Sequence, residues 1–235
     1  CLDKPWIAVG PSRLDPDEHV IYVTYTKFVT IFPIFFLFDV EAFVQIPVTK
    51  TSIELVRSED GGLTWSDPIS VSPIVESTIG EDVPKRVVQG SQPVVAADGT
   101  LYVNWMDSTD DDSFEGRAEI YVARSDDNGH TFVTNRASDF NEPGFSPRNS
   151  FFRYWGSSFP QNTTGPEDQV YIAYMGRPSD KKTDDGDIYF LASMDRGETW
   201  THKRLNDDST NRVQFFPSVS ASPDGTIHAM WGDMR

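Results

Sequence analysis

The sequence predicts an all-β fold: a β-propeller of four-stranded antiparallel blades, with about three and a half blades present, part of a six- or seven-bladed ring. Three observations carry this reading. An eight-residue box recurs as SEDGGLTW at 58–65, SDDNGHTF at 125–132 and SMDRGETW at 193–200, and its aspartates Asp60, Asp127 and Asp195 stand 67 and 68 residues apart. A fixed period of that kind marks a propeller or an array. The flanks of each box repeat as short runs rich in Val, Ile, Tyr, Phe and Trp, bounded by Gly, Pro, Asn and Asp, which read as strands joined by turns. Helical periodicity is almost absent across the 235 residues.

The elements follow in order. Blade one, 1–70, carries DKPWIAV, HVIYVTYT and TSIELVRS ahead of its box. Blade two, 71–140, carries SQPVVAA, TLYVNWMD and AEIYVARS. Blade three, 141–205, carries FRYWGSS, QVYIAYMG and GDIYFLAS. Residues 206–235, with FPSVSASPDGTIHAMWGD, supply two inner strands of blade four in this single incomplete domain. Three and a half blades do not close a ring, and closure is how such folds remove bare sheet edges. The expectation is therefore a fragment, or the ordered part, of a longer chain.

Each box has to turn the chain between two strands. Gly62, Gly129 and Gly197 stand where a positive φ is expected, which glycine adopts without strain. Asp60, Asp127 and Asp195 can accept backbone N–H groups across the turn, and Ser58, Ser125 and Ser193 can tie the strand end. Trp65, Phe132 and Trp200 then start the next strand and bury an aromatic plate, for roughly 2–3 kcal/mol each by area. Three separate rim turns do not converge on one substrate, so these aspartates read as scaffolding.

The box resembles the Asp-box, or bacterial neuraminidase repeat, of sialidases, other glycoside hydrolases and sortilin-type receptors. The resemblance implies a propeller with the boxes on the face opposite the active site, and an extracytoplasmic (secreted, periplasmic or cell-surface) setting. In sialidases of this type it further implies three arginines that clamp a substrate carboxylate, a Tyr–Glu nucleophile pair and an aspartic acid/base. An Arg-Ile-Pro signature near the first strand usually supplies one arginine. Here that strand reads DKPWIAVGPS, without the motif.

Away from the boxes, the ends of the second strands bring candidates to one mouth: Asp107, Arg177, Asp233 and Arg235, with Arg86, Arg117, Arg148 and Arg153 as neighbours. Arginine forks suit a carboxylate or sulfate, and an adjacent carboxylic acid suits proton donation. The competing reading is a set of loop salt bridges. The acidic loop at 107–116 offers Ca²⁺ ligands in Asp110, Asp111 and Asp112, without a recognised calcium spacing; a solvated charge run is the alternative. Four scattered histidines and one cysteine form no zinc motif, and no phosphate loop or serine elbow is present.

The second-to-third strand connection of blade one is unlike the others. It holds FVTIFPIFFLF, 28–38, whose Phe32, Phe35, Phe36, Leu37 and Phe38 form either an extra hairpin packed on its own domain or a docking surface. This insert is also the one segment suited to touching a membrane, although it lacks basic flanks. The formal net charge of −16 argues against nucleic acid as a partner. The lone Cys1 excludes an internal disulfide and reads as a lipidation site or a processing boundary. Two function classes remain: a non-catalytic binding or scaffold propeller that takes a protein or glycan partner and no cofactor beyond Ca²⁺, and an exo-sialidase-type hydrolase of acidic sugars.

Overall fold

The computed structural model describes residues 1–31, 34–36, 43–45, 48–78, 86–108, 116–142, 159–180, 184 and 186–235. All regular structure among them is strand. Blade one contains β1 (Leu2–Pro11), β2 (His19–Ile31), a small hairpin of β3 (Ile34–Phe36) and β4 (Phe43–Gln45), then β5 (Val48–Ser58), β6 (Ile69–Ser70) and β7 (Val75–Thr78). Blade two is β8 (Val87–Val95), β9 (Leu101–Ser108), β10 (Arg117–Ser125) and β11 (Val133–Asn141). Blade three is β12 (Gln161–Thr164), β13 (Val170–Gly176), β14 (Asp187–Ser193) and β15 (Thr201–Arg204). A two-stranded sheet of β16 (Gln214–Ala221) and β17 (Ile227–Asp233) follows.

Within each sheet the strands are antiparallel and run in sequence order from the axis outward. The first strands β1, β8, β12 and β16 are spatial neighbours in that order, which is the inner wall of a propeller. The chain is thus an all-β partial propeller, as its period predicts.

Two expected boundaries shift. The sheet of blade one reaches Thr78 rather than ending near 70, because its fourth strand is split. Val71 N–H and Ser72 N–H both donate to the Ile53 carbonyl, and Ser72 Oγ accepts from Ile53 N–H at 2.8 Å, so a bulge just before Pro73 separates β6 from β7. The first strand of blade three is Gln161–Thr164, beyond FRYWGSS, which lies outside the described residues.

The core is two slabs between blades. One joins Val20, Tyr22, Ile53 and Leu55 of blade one to Val88, Leu101, Val103 and Trp105 of blade two. The other joins Tyr102, Met106, Ile120 and Val122 of blade two to Ile172, Tyr174 and Leu191 of blade three. Strands β9 and β13 are buried along their whole length because a blade covers each face. That is why LYVNWMDS and VYIAYMG are apolar on both sides of the pleat rather than alternating. Each fully buried large side chain contributes roughly 1.5–3 kcal/mol.

The three boxes share one hydrogen-bond scheme. In the first, Ser58 Oγ donates to Asp60 Oδ1 at 2.8 Å and accepts from Gly62 N–H at 2.8 Å. Asp60 also accepts from Thr64 N–H at 2.9 Å and from the Thr64 hydroxyl at 2.5 Å. Ser125, Asp127, Gly129 and Thr131 repeat this, as do Ser193, Asp195, Gly197 and Thr199. The glycines take φ of 90°, 77° and 85°. The aromatic plates differ from expectation. Phe132 and Trp200 pack on the slabs behind them, but Trp65 is 45 % exposed, since no sheet among the described residues stands on that side of blade one.

Candidate functional site at the mouth of the blades

The ladder registers set the two ends of the molecule. Boxes and the turns joining first to second strands lie at one end, and the second-to-third connections, with the links between blades, lie at the other. This second end is the mouth.

Its inner wall carries a feature that the sequence reading missed. Three first strands break register at one equivalent place, between Asp3 and Trp6, between Gln89 and Gln92, and between Phe215 and Ser218. Each bulge holds a residue at positive φ: Lys4 (50°), Gly90 (72°) and Phe216 (51°). Gly90 is needed there, because a Cβ would stand 2.2 Å from the Phe159 ring. The bulges connect the first blade to the second and the third across the throat. Gln89 Nε2 donates to Asp3 Oδ2 at 2.8 Å, and Lys4 Nζ sits 5.0 Å above the centroid of Phe159. The signal was available at two of the three bulges in the Lys4-Pro5 and Phe216-Pro217 pairs, since proline in a strand is tolerated at bulges.

The sequence-nominated charges fall into three local sets. Asp107, 2 % exposed at the end of β9, takes a two-pronged ion pair from Arg86, Nε to Oδ1 at 2.8 Å and Nη2 to Oδ2 at 2.6 Å. Close by, the Tyr121 hydroxyl donates to Glu119 at 2.8 Å, Arg136 grips the same carboxylate at 2.6 Å, and the Tyr121 ring stacks on Trp105. Asp233 accepts from Arg235 Nε at 2.8 Å and from Gln214 Nε2 at 3.2 Å, while Arg235 also reaches Asp207 at 3.0 Å. Burial pushes the Asp233 carboxyl upward, but the Arg235 backbone N–H, Gln214 and the Arg235 side chain outweigh it and hold the acid below its ordinary range. Asp233 is therefore a carboxylate at neutral pH, a poor proton donor. Arg177 lies in the third set. Its N–H donates to the Asn141 carbonyl at 2.8 Å, joining blade three to blade two, and it lines a hollow together with Arg117.

Among the described residues there are two hydrogen-bonded Tyr–Glu pairs. Tyr25 donates to Glu54 at 3.2 Å with Lys27 on the other carboxylate oxygen at 2.8 Å, directly across the β2–β5 ladder; Tyr121 and Glu119 form the second. Burial first, then the glutamate charge, pushes Tyr25 up to about 12; Tyr121 is pushed up by burial first, then by its hydrogen bond to the Glu119 carboxylate, then by the Glu119 charge. Both phenols stay neutral at pH 7, the opposite of an activated nucleophile.

Phe35 and Phe36 belong to β3, whose backbone pairs with β4 as a separate two-stranded hairpin. Phe32, Leu37 and Phe38 lie outside the described residues, as do Asp110, Asp111, Asp112, Arg148 and Arg153. Among the described residues no cluster of three or more His, Cys, Asp or Glu is placed to hold a metal ion, and no helix is long and apolar enough to cross a membrane.

No family model matches the chain, and no curated protein matches it. Solved structures do. Hadza microbial sialidase Hz136 superimposes with a TM-score of 0.52 at 15 % identity, over 98 % of this chain and 39 % of that one. A protein of unknown function from Dyadobacter fermentans gives a TM-score of 0.52 at 16 % identity, over 98 % of this chain and 57 % of that one. The chain therefore spans about two fifths of the length of the first of these structures and under three fifths of the second. At this identity the likeness is one of fold, and the fold is that of a sialidase-like propeller.

Proposed function

We propose that the protein is a non-catalytic binding or scaffold propeller, working outside the cytoplasm, whose β3–β4 hairpin docks a protein partner beside the mouth. One observation carries the reading. The acid best placed by sequence for proton transfer, Asp107, is buried and already neutralised by Arg86 on both oxygens. The second acid, Asp233, is exposed and is held by Arg235 through its backbone N–H on one oxygen and Nε on the other. With Nε and Nη2 both spent on the two oxygens of Asp107, the Arg86 fork is committed to an intramolecular carboxylate rather than to clamping a substrate. No cofactor is required on this reading.

The second reading is an exo-sialidase-type hydrolase. What favours it is the fold shared with a protein described as a sialidase, together with the two Tyr–Glu pairs. A fluorogenic sialoside separates the two. The binding reading expects no turnover above buffer by the full chain, and turnover that disappears on Arg86→Ala would install the hydrolase instead. Docking is tested by replacing Phe35 and Phe36 with serine. Partner capture should be lost while the β-sheet circular dichroism persists, and an unchanged capture would remove the hairpin from the account.

A further inference from the structure

At the end of the molecule that carries the boxes, three blades meet through their first turns. The turn from β1 to β2 brings Arg13, the turn from β8 to β9 brings Asp98, and the turn from β12 to β13 brings Asp168. Gly99, at a φ of 87°, seats the second turn on the first, since a Cβ there would stand 2.7 Å from Arg13 Cα. Arg13 Nη1 reaches the Asp98 carboxylate at 3.5 Å and donates to the Asp98 carbonyl at 3.3 Å. Behind them Arg196 of the third box grips Asp126 of the second and donates to Thr100 Oγ1 at 3.0 Å. The Tyr102 phenol, hydrogen-bonded to Arg196, also faces Asp168. Three acids, Asp98, Asp126 and Asp168, thus stand around two guanidiniums, Arg13 and Arg196, and one negative charge is in excess.

Asp98 and Asp168 are not equivalent. Asp98 is satisfied as an anion: Thr100 N–H donates to Oδ1 at 2.9 Å and the Thr100 hydroxyl to Oδ2 at 3.0 Å, with Arg13 beside it. Asp168 is half-buried, and its hydrogen-bonding neighbour among the described residues is the Asp98 carboxyl itself. Ionised carboxylates are acceptors only, so a hydrogen bond between two of them needs a proton, and the proton belongs on the partner that lacks other donors. We propose that Asp98 and Asp168 share one proton and so form an acid-set latch between blades two and three. Burial first, then the Asp98 charge, pushes the Asp168 carboxyl above its ordinary range, against Arg196 and Arg13. Burial pushes Asp98 up as well, but the Thr100 N–H and hydroxyl, then Arg13 and Arg196, prevail and hold it low. A carboxyl whose folded value lies above its unfolded value of roughly 3.9 contributes stability that is complete below that pH and is lost as the pH rises through the folded value. The latch therefore closes in acid, and at neutral pH two like charges push the turns apart. It lies at the end opposite the mouth, so turnover of a sialoside would leave it untouched.

The test is urea unfolding of the full chain, unmodified and as Asp168→Asn, from pH 7 down to about pH 4, with a carboxyl carbon titration beside it. Asparagine is the suitable probe, because it tolerates the φ of 63° at this position as aspartate does and resembles the protonated acid. At pH 7 the Asp168→Asn midpoint should lie roughly 0.1–0.5 M higher, the size of one partly exposed charge repulsion, and the gap should close as the pH falls. The titration should place Asp168 above Asp98, and Asp98→Asn should bring Asp168 down toward its ordinary range. An Asp168→Asn midpoint at or below that of the unmodified chain at pH 7 would overturn the latch. So would an Asp168 that titrates below Asp98 or that ignores Asp98→Asn. A gain in midpoint from calcium chloride at pH 7 that Asp168→Asn abolishes would make the pair a cation site instead. Should Asp98→Asn fail to fold, the order of the two titrations and the Asp168→Asn midpoints still decide.

Discussion

Trp65 and Trp200 close the same turn. Both follow Ser-x-Asp-x-Gly-x-Thr, and the hydrogen bonds inside the two turns agree to within a tenth of an ångström. Yet Trp200 packs on the slab between blades two and three, while Trp65 is 45 % exposed. The difference separates two jobs that the repeat makes look like one. The eight residues dictate the turn by themselves, because its donors and acceptors are all local. The worth of the aromatic that follows is set by whatever sheet stands behind it.

The largest expected effect tests that separation directly. Trp200→Ala should cost roughly 2–4 kcal/mol and Trp65→Ala about 1 kcal/mol or less in denaturant unfolding of the full chain. Trp200→Phe should recover most of the loss. Its Nε1 is buried with no hydrogen-bond partner among the described residues, and the second box already uses Phe132 at this place. Equal costs for the two alanine variants would mean that the box, not the neighbouring blade, sets the value of the plate.

Next in size are the links between successive boxes. The residue before the serine is Arg57 in blade one and Arg124 in blade two, and each reaches forward to the next box. Arg57 Nη1 donates to the Gly129 carbonyl at 3.5 Å with Nη2 at 2.9 Å from the His130 ring, and Arg124 Nη1 donates to the Arg196 carbonyl at 3.3 Å. Blade three has Ala192 there. The second box has an additional tie: Asn128, 3 % exposed, donates to Ser12 Oγ at 2.8 Å and accepts from Arg13 N–H at 2.7 Å. Asn128→Ala should cost roughly 1–3 kcal/mol, since it takes the acceptor from Arg13 N–H, removes one of the bonds at Ser12 Oγ and places alanine at a φ of 57°. Arg124→Ala should cost about 1 kcal/mol. A double variant whose costs simply add would show the two links to be independent.

The same separation explains what could be read from sequence. The period, the positive-φ glycines, the two-stranded end of the chain and the hairpin in the insert depend on neighbours within about ten residues, and each is visible in composition and spacing. The Arg86–Asp107 pair is 21 residues apart, and its partners meet only once β8 lies against β9. The stacked rings of Tyr189 and His202 need β14 beside β15, and the hollow they line with Arg177 needs Phe140 from another blade. Nothing in QVYIAYMG or THKR announces that its side chains will line a cavity. The throat bulges fall between these cases: their Lys4-Pro5 and Phe216-Pro217 markers are local, but which residues they bring together is not.

The smallest effect is the most exact test of the turn as a local unit. The Thr64 hydroxyl, then the Thr64 N–H and Ser58, hold Asp60 at about 2, and Thr199, then Ser193, do the same for Asp195. At Asp127 burial pushes upward, but Thr131 and Ser125 prevail and the value is again about 2. A carboxylate whose folded value lies below its unfolded value of roughly 3.9 contributes stability that is complete above that pH and is lost as the pH falls toward 2. All three boxes should therefore weaken together in that window. Thr64→Val removes the largest cause at Asp60 alone. Carboxyl carbon titration should then show Asp60 moving up toward 3.9 while Asp127 and Asp195 stay in place. Movement of Asp195 as well would mean that the boxes are coupled through the rim, and the turn would no longer be a self-contained device.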